Sequence, residues 1–201
     1  MLKKPMPNAA GYDVLMKDRA RKRGVSKGQW LESALEVLCL GSISDVKIDV
    51  LAKSLGVSRS GFYWHFKNRE ELLAELLDYW THETTEVITE NPDFIRLNPG
   101  ERLRQIAKTI HDYDLVRHEI GIRQWALSSK KAAKAVAAVN KVRMGFASNA
   151  LKEFGFSGDD LEMRAMLFIC YQAFESTVFR EIPANRRREL IDKRVDLITS
   201  Q

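Results

Sequence analysis

The sequence predicts an all-α protein, a small N-terminal domain of short helices followed by a larger helical body. Apolar residues recur at helical spacing from Lys27 nearly to the C-terminus, and no window sustains the alternation of a strand. Prolines and glycines fall between the periodic segments, as at Gly41, Gly56, Pro92, Pro99 and Pro183. Charge divides the chain in the same way: up to Arg69 there are 13 Lys+Arg against 6 Asp+Glu, and beyond it 19 against 21. Such an excess suits contact with a polyanion, or else a solvated tail, since eight of the basic residues lie between Lys3 and Lys27.

Composition narrows the class. With 201 residues, 45% hydrophobic and 29% charged, the chain can bury the core of one or two small domains. Cys39 and Cys170 are far apart and form no CxxC pair, which excludes a disulfide scaffold and a thiolate zinc site and points to a reducing, cytoplasmic setting. The first 28 residues lack the apolar segment of a secretory signal, and the longest apolar run, Met166 to Tyr171, is six residues where about 20 are needed to span a bilayer.

Trp30, Leu31, Ala34, Leu35, Leu38 and Cys39 share one face, predicting a helix from Lys27 to Leu40 with Ser26 as N-cap and Gly41 as stop. Ile48, Leu51, Ala52 and Leu55 predict a second helix, started near Asp45 and ended by Gly56. Ser58 then caps a third, Arg59 to His65, and Asn68 caps a fourth that runs to about Glu90. Two short helices joined by Gly-Val-Ser form a helix-turn-helix, with Ala52 small enough for a close crossing and Gly56 free to turn left-handed. In the third helix Phe62 and Phe66 can anchor inward while Arg59, Ser60, Tyr63 and Trp64 point outward, a face able to enter a major groove.

The stretch from Lys47 to Leu73, KIDVLAKSLGVSRSGFYWHFKNREELL, resembles the DNA-binding domain of TetR-type transcriptional regulators, most specifically at Gly56-Val57-Ser58, Tyr63, His65-Phe66, Arg69-Glu70 and Leu72. Arg69 stands where the family more often has Lys, and Trp64 is bulkier than many of its counterparts. Arg59 fits a bidentate guanine contact or a phosphate contact; Ser58, Ser60 and Gly61 allow close approach, and Lys47 faces the backbone. Tyr63 and His65 resemble the family's phosphate-gripping pair, although His65 can equally cap and pack beside Phe66. Lys67 and the leading N–H groups of the fourth helix would hold one more phosphate. Arg19, Arg21, Lys22 and Arg23 make residues 1–25 a basic arm, similar to extensions that some members lay along the minor groove, or a solubilising tail. The helix-turn-helix domain is then residues 26–70 and the helical ligand-binding and dimerisation body residues 71–201.

In the body, helices are predicted from Asn98 to about Val116, Glu119 to Leu127, Lys130 to Phe154, Asp159 to Glu181 and Asn185 to Thr199. Leu161 to Phe179 is apolar around most of its circumference, which calls for cover on most sides. A second copy packing through Leu167, Cys170, Tyr171, Phe174 and Val178, together with Asn185 to Thr199, supplies that cover; a central core helix of a monomer is the other reading. A weaker resemblance lies in Glu119, Ile122, Arg123, Trp125 and Ala126. In regulators of this kind a cavity among the middle helices holds an inducer, which nominates Tyr113, Trp125, Phe146, Phe168, Tyr171 and Phe174 as lining or as plain core. Arg123 and Glu175 would either form a buried ion pair or never meet.

The sequence holds no HExxH, Gly-x-Ser-x-Gly, Walker-type loop or dinucleotide fingerprint, so neither catalysis nor a cofactor is implied. His111 with His118, or His82 with Glu86, falls short of a metal ligand set. The expected function is that of a dimeric repressor, which binds palindromic double-stranded DNA and is released by a small-molecule effector. Its rivals are a ligand-independent or nucleoid-organising DNA-binding protein of the same fold, and an all-α enzyme or protein-binding module.

Overall fold

The computed structural model describes residues 24–89, 94 and 96–200. Among these residues every regular element is a helix, and the chain forms two compact units that divide at Leu77 and Asp78. The division lies a little downstream of Glu71, because Leu72 and Leu76 are still wholly buried in the first unit.

Helix α1 is Lys27–Leu40, opened by a reciprocal capping box in which Ser26 Oγ accepts from Gln29 N–H at 3.3 Å and Gln29 Oε1 accepts from Ser26 N–H at 2.9 Å. Helix α2 is Ile48–Leu55 and ends at Gly56, whose φ of 68° supplies the left-handed turn. It begins later than the sequence suggested, since Asp45 is spent on the preceding turn. Its carboxylate accepts from both N–H and Oγ of Ser42 at 2.9 Å, and these hydrogen bonds hold it below the usual carboxylate range. Helix α3 is a single turn, Ser60–Tyr63, rather than the span from Arg59 to His65. The flanking bonds Gly61 N–H to Ser58 O, Phe62 N–H to Arg59 O and His65 N–H to Phe62 O are i to i+3 links, so the segment tightens instead of continuing as an α-helix. Ser58 does not cap it through its side chain, which shares a 2.7 Å hydrogen bond with Ser60 Oγ. Helix α4 is Arg69–Thr89, with Asn68 Oδ1 accepting from Glu71 N–H at 2.9 Å.

What holds this unit is an aromatic wedge. Trp30 and Phe62, both fully buried, meet edge to face at 5.5 Å between ring centroids, and Phe66 lies 5.2 Å beyond Phe62. Arg69 closes the other side: its Nε donates to Val46 O at 2.6 Å and its Nη2 to Ile43 O, tying the α1–α2 connection to the start of α4. Ser33 and Ser54 join α1 to α2 through a 2.7 Å hydroxyl bond.

The second unit adds α5 (Pro99–Asp112), α6 (Glu119–Ala126), α7 (Lys130–Lys152), α8 (Gly158–Val178), α9 (Ala184–Glu189) and α10 (Ile191–Thr199). Helix α7 packs against α5, α6 and α8, while α10 closes over α5 and α8. The core includes Leu103, Ile106, Leu151, Phe168, Ile191 and Val195. The single helix expected from Asn185 to Thr199 is broken at Leu190. The reason lies in how its halves are held: α10 buries Ile191, Val195 and Ile198, whereas α9 buries no residue and is docked by arginines. Arg188 grips Asp112 with bonds of 2.6 and 2.8 Å, which keep the Asp112 carboxyl below its ordinary range, and Arg187 reaches Ile182 O at 2.6 Å.

Two substitutions test the first unit. Phe62→Ala removes the centre of the wedge and should cost about 3–5 kcal/mol in urea unfolding of the full chain. Arg69→Met keeps the stem but strands two carbonyls, and should cost about 2 kcal/mol in the same measurement.

Candidate nucleic-acid interface and cavity of the body

Because Phe62 and Phe66 turn inward, the residues between and before them are driven out. Tyr63 is 54% and Trp64 87% exposed, and Ser58, Arg59 and Ser60 are exposed beside them. Tyr63 and Trp64 thus form an exposed aromatic pair at the tip of a one-turn helix. Gly61 is half-buried, and a Cβ there would meet Trp30 at an ordinary 3.8 Å, so internal packing does not require glycine at this position. Arg59 Nε lies 2.9 Å from Asp49 Oδ1, with both side chains more than half exposed. Such a solvated pair is weak, and it rests the guanidinium against α2 without withdrawing it from water. Lys47 and Lys67 are exposed at either end of this surface.

His65 is half-buried, with Nε2 2.8 Å from Val25 O and its ring beside Phe66, an arrangement that matches the packing alternative and fastens the lead-in to α1. The start of α4 is also partly closed, because Glu71 N–H donates to Asn68 Oδ1 and Lys67 N–H donates to the Glu71 carboxylate, leaving those two donors no phosphate to hold. Arg21 and Arg23 lie outside the described residues. Arg69 is the residue that sequence reasoning missed: its acceptors, Val46 and Ile43, are backbone carbonyls brought near only by the fold.

In the second unit, an apolar cavity of about 40 Å³ opens among Ile106, Ile110, Val142, Phe146 and Phe168, with Thr84 and Thr85 of α4 on its wall. Of the six nominated lining residues Phe146 and Phe168 face it. Tyr113 and Trp125 do not; Tyr171 stacks on Phe179 at 5.8 Å, and Phe174 sits under Arg123 at 5.4 Å. A second cavity of about 250 Å³, with a more polar wall, adjoins it, the two sharing Ile110, Val116 and Gln172.

Arg123 and Glu175, considered as partners, are each paired elsewhere. The fully buried Glu119 takes Arg123 Nε at 2.7 Å and Arg143 at 3.1 Å, while Arg123 Nη2 donates to Asn140 at 2.8 Å, fixing α6 to α7. Glu175 instead takes Arg194 Nη1 at 2.6 Å and lies 3.2 Å from Arg187 Nε and 3.4 Å from His111 Nδ1.

Residues 31–76 match the family described as bacterial regulatory proteins, tetR family. The HTH-type transcriptional regulator SrpR of Pseudomonas putida is 38% identical over 47 residues, which cover 23% of this chain and 22% of SrpR, so the match spans about a fifth of that relative's length. In fold, the chain is similar to a transcriptional regulator, RHA1_ro04179, of Rhodococcus sp. Rha1, with a TM-score of 0.67 and 17% identity over 87% of this chain and 96% of that one. It is also similar to the transcriptional regulator FadR of Bacillus subtilis in complex with stearoyl-CoA, with a TM-score of 0.65 and 18% identity over 87% and 98%. Residues 31–76 thus match the TetR-family model, and the chain as a whole has an all-α fold similar to that of these regulators.

Proposed function

We propose that the chain is a homodimeric repressor, which reads a palindromic operator with the outward face of residues 58–64 and leaves it when a small molecule occupies the second unit. One observation carries the reading: burial of Phe62 and Phe66 forces Arg59, Ser60, Tyr63 and Trp64 into solvent on one short, rigid turn. In this assignment Arg59 reads a base edge, the Tyr63 hydroxyl and Lys47 bind phosphates, Ser58, Ser60 and Gly61 let the turn sink into the groove, and Lys67 adds charge at its rim. Arg21 and Arg23 join from the arm.

A single turn of helix offers too few contacts for selectivity, and a two-fold copy doubles them, with half-sites about 34–36 Å apart. The proposed dimer face is the outer side of α8. Leu167 is 55% and Val178 61% exposed there, in line with Met163, Met166 and Cys170, and with Tyr171 and Phe174 partly covered. This apolar stripe runs from Met163 to Val178, and Leu197 of α10 is also exposed, which suits a self-complementary interface.

Release follows from differential affinity: an effector that binds better when the two heads are wrongly spaced for adjacent grooves shifts the population off DNA. The cavities in the second unit, and the acyl-CoA held by FadR within a like fold, support a ligand in this body.

Arg59→Ala should cost about 1–3 kcal/mol on the duplex that the chain selects from a random pool and flatten its preference at one base pair, measured by fluorescence anisotropy; equal losses on every sequence would make Arg59 a phosphate contact. Leu167→Glu, at an exposed site that leaves the protomer core intact, should give monomers in sedimentation and weaken palindrome binding by at least about tenfold. A persistent dimer would move the interface elsewhere.

A further inference from the structure

We infer that the second unit takes an uncharged hydroxyl compound, an alcohol or phenol, whose O–H bridges Gln172 and Glu175 while its apolar part lies toward Phe146 and Phe168. The inference deepens the proposed effector site and rests on the reading that this body holds one.

Gln172 is 6% exposed, lines both cavities, and its Nε2 has no hydrogen-bond partner. Folded proteins rarely leave such a donor unmet. One helical turn on, Glu175 is equally buried and lines the second cavity. Its Oε2 is taken by Arg194, but Oε1, though within ion-pair distance of Arg187 Nε and near His111 Nδ1, receives a hydrogen bond from neither. Positions 172 and 175 are neighbours on one helix face, so an unmet donor and an unmet acceptor stand side by side. A hydroxyl satisfies both, its oxygen accepting from Gln172 Nε2 and its hydrogen donated to Glu175 Oε1.

Charge argues for a neutral head. Glu175 is already balanced by Arg194 and Arg187, and Arg187 also lines the cavity, so a cation would face a guanidinium group beside a carboxylate that is already neutralised. An anion would face Glu175 and Asp114, which lines the same cavity. Beyond Gln172 the walls become Ile106, Ile110, Phe146 and Phe168, a surface for hydrocarbon.

The test uses four probes of matched length on the full chain: 1-octanol, octanoate, octylammonium and 1-methoxyheptane, whose ether oxygen accepts but cannot donate. Binding is read from the rise in Tm with probe concentration. Octanol should bind at least about tenfold tighter than each of the others, since buried groups left unpaired penalise the analogue that cannot meet them. Gln172→Leu should bring octanol to the level of the ether while leaving the unliganded Tm unchanged or higher, because an unmet buried donor has been removed. Equal binding of octanol and ether, tighter binding of octanoate or octylammonium, or an unliganded Tm lowered by Gln172→Leu would overturn the assignment. Octanol that binds as expected but leaves affinity for the selected duplex unchanged supports the site and removes the effector-release reading; release by octanoate alone keeps that reading and overturns this one.

Discussion

The edge-to-face packing of Phe62 on Trp30 decides more about this molecule than any other contact. Between Gly56 and Asn68 the chain has only one turn of helix, too short to hold a conformation by its own hydrogen bonds. Phe62 and Phe66 supply what the backbone cannot: two rings four residues apart, sunk against Trp30, fix the rotation of the turn about its axis. Once that rotation is set, Arg59, Ser60, Tyr63 and Trp64 have no way to face but out. Arg69, with Val46 and Ile43 as acceptors, locks the connection behind the wedge, so the exposed surface stands on a base that does not need DNA to form.

Much of this was legible in the sequence because the signals were local. Ser26 with Gln29, Gly56 with its left-handed turn, and Asn68 ahead of two glutamates each mark a boundary by chemistry within three or four residues. The alternation of aromatics from Phe62 to Phe66 was equally readable as one side in, one side out. What escaped were features whose partners lie far along the chain. Nothing near His65 announces that its ring will meet Val25 O, forty residues earlier, and nothing near Arg69 names Ile43. Asp45 misled for the opposite reason: it is a good N-cap residue, used one turn too early by Ser42.

In the second unit, apolar periodicity located the helices but not the space between them. Phe146 and Phe168 reach the cavity, while Tyr171 and Phe174, on the same helix as Phe168, are turned away under arginines. The carboxylates show the same limit. In the sequence Glu119 stands out only through the weaker resemblance and Glu175 only as a partner for Arg123, yet both are buried, each between two guanidinium groups. By residue type Arg123 and Glu175 could pair or never meet; the fold gives each a different partner, since Asn140 draws Arg123 toward α7 and, across the break at Leu190, Arg187 and Arg194 both reach Glu175.

The two buried clusters differ in a way that bears on function. Around Glu119 both carboxylate oxygens receive hydrogen bonds, and the network is a fastening between α6 and α7. Around Glu175 one oxygen, the Gln172 amide and three guanidinium nitrogens of Arg187 and Arg194 remain without hydrogen bonds, beside a cavity of about 250 Å³. A satisfied network resists rearrangement, whereas an unsatisfied one lowers the cost of leaving the present packing. The second cluster also holds α9 and α10 to α8 and, through His111, to α5, so the elements it joins are the ones whose positions a molecule in that cavity would reset. A regulator needs one part that stays the same in both states and one that can hold two arrangements. In the proposed reading the aromatic wedge suits the head to the first part, and the incomplete hydrogen bonding around Glu175 suits the body to the second.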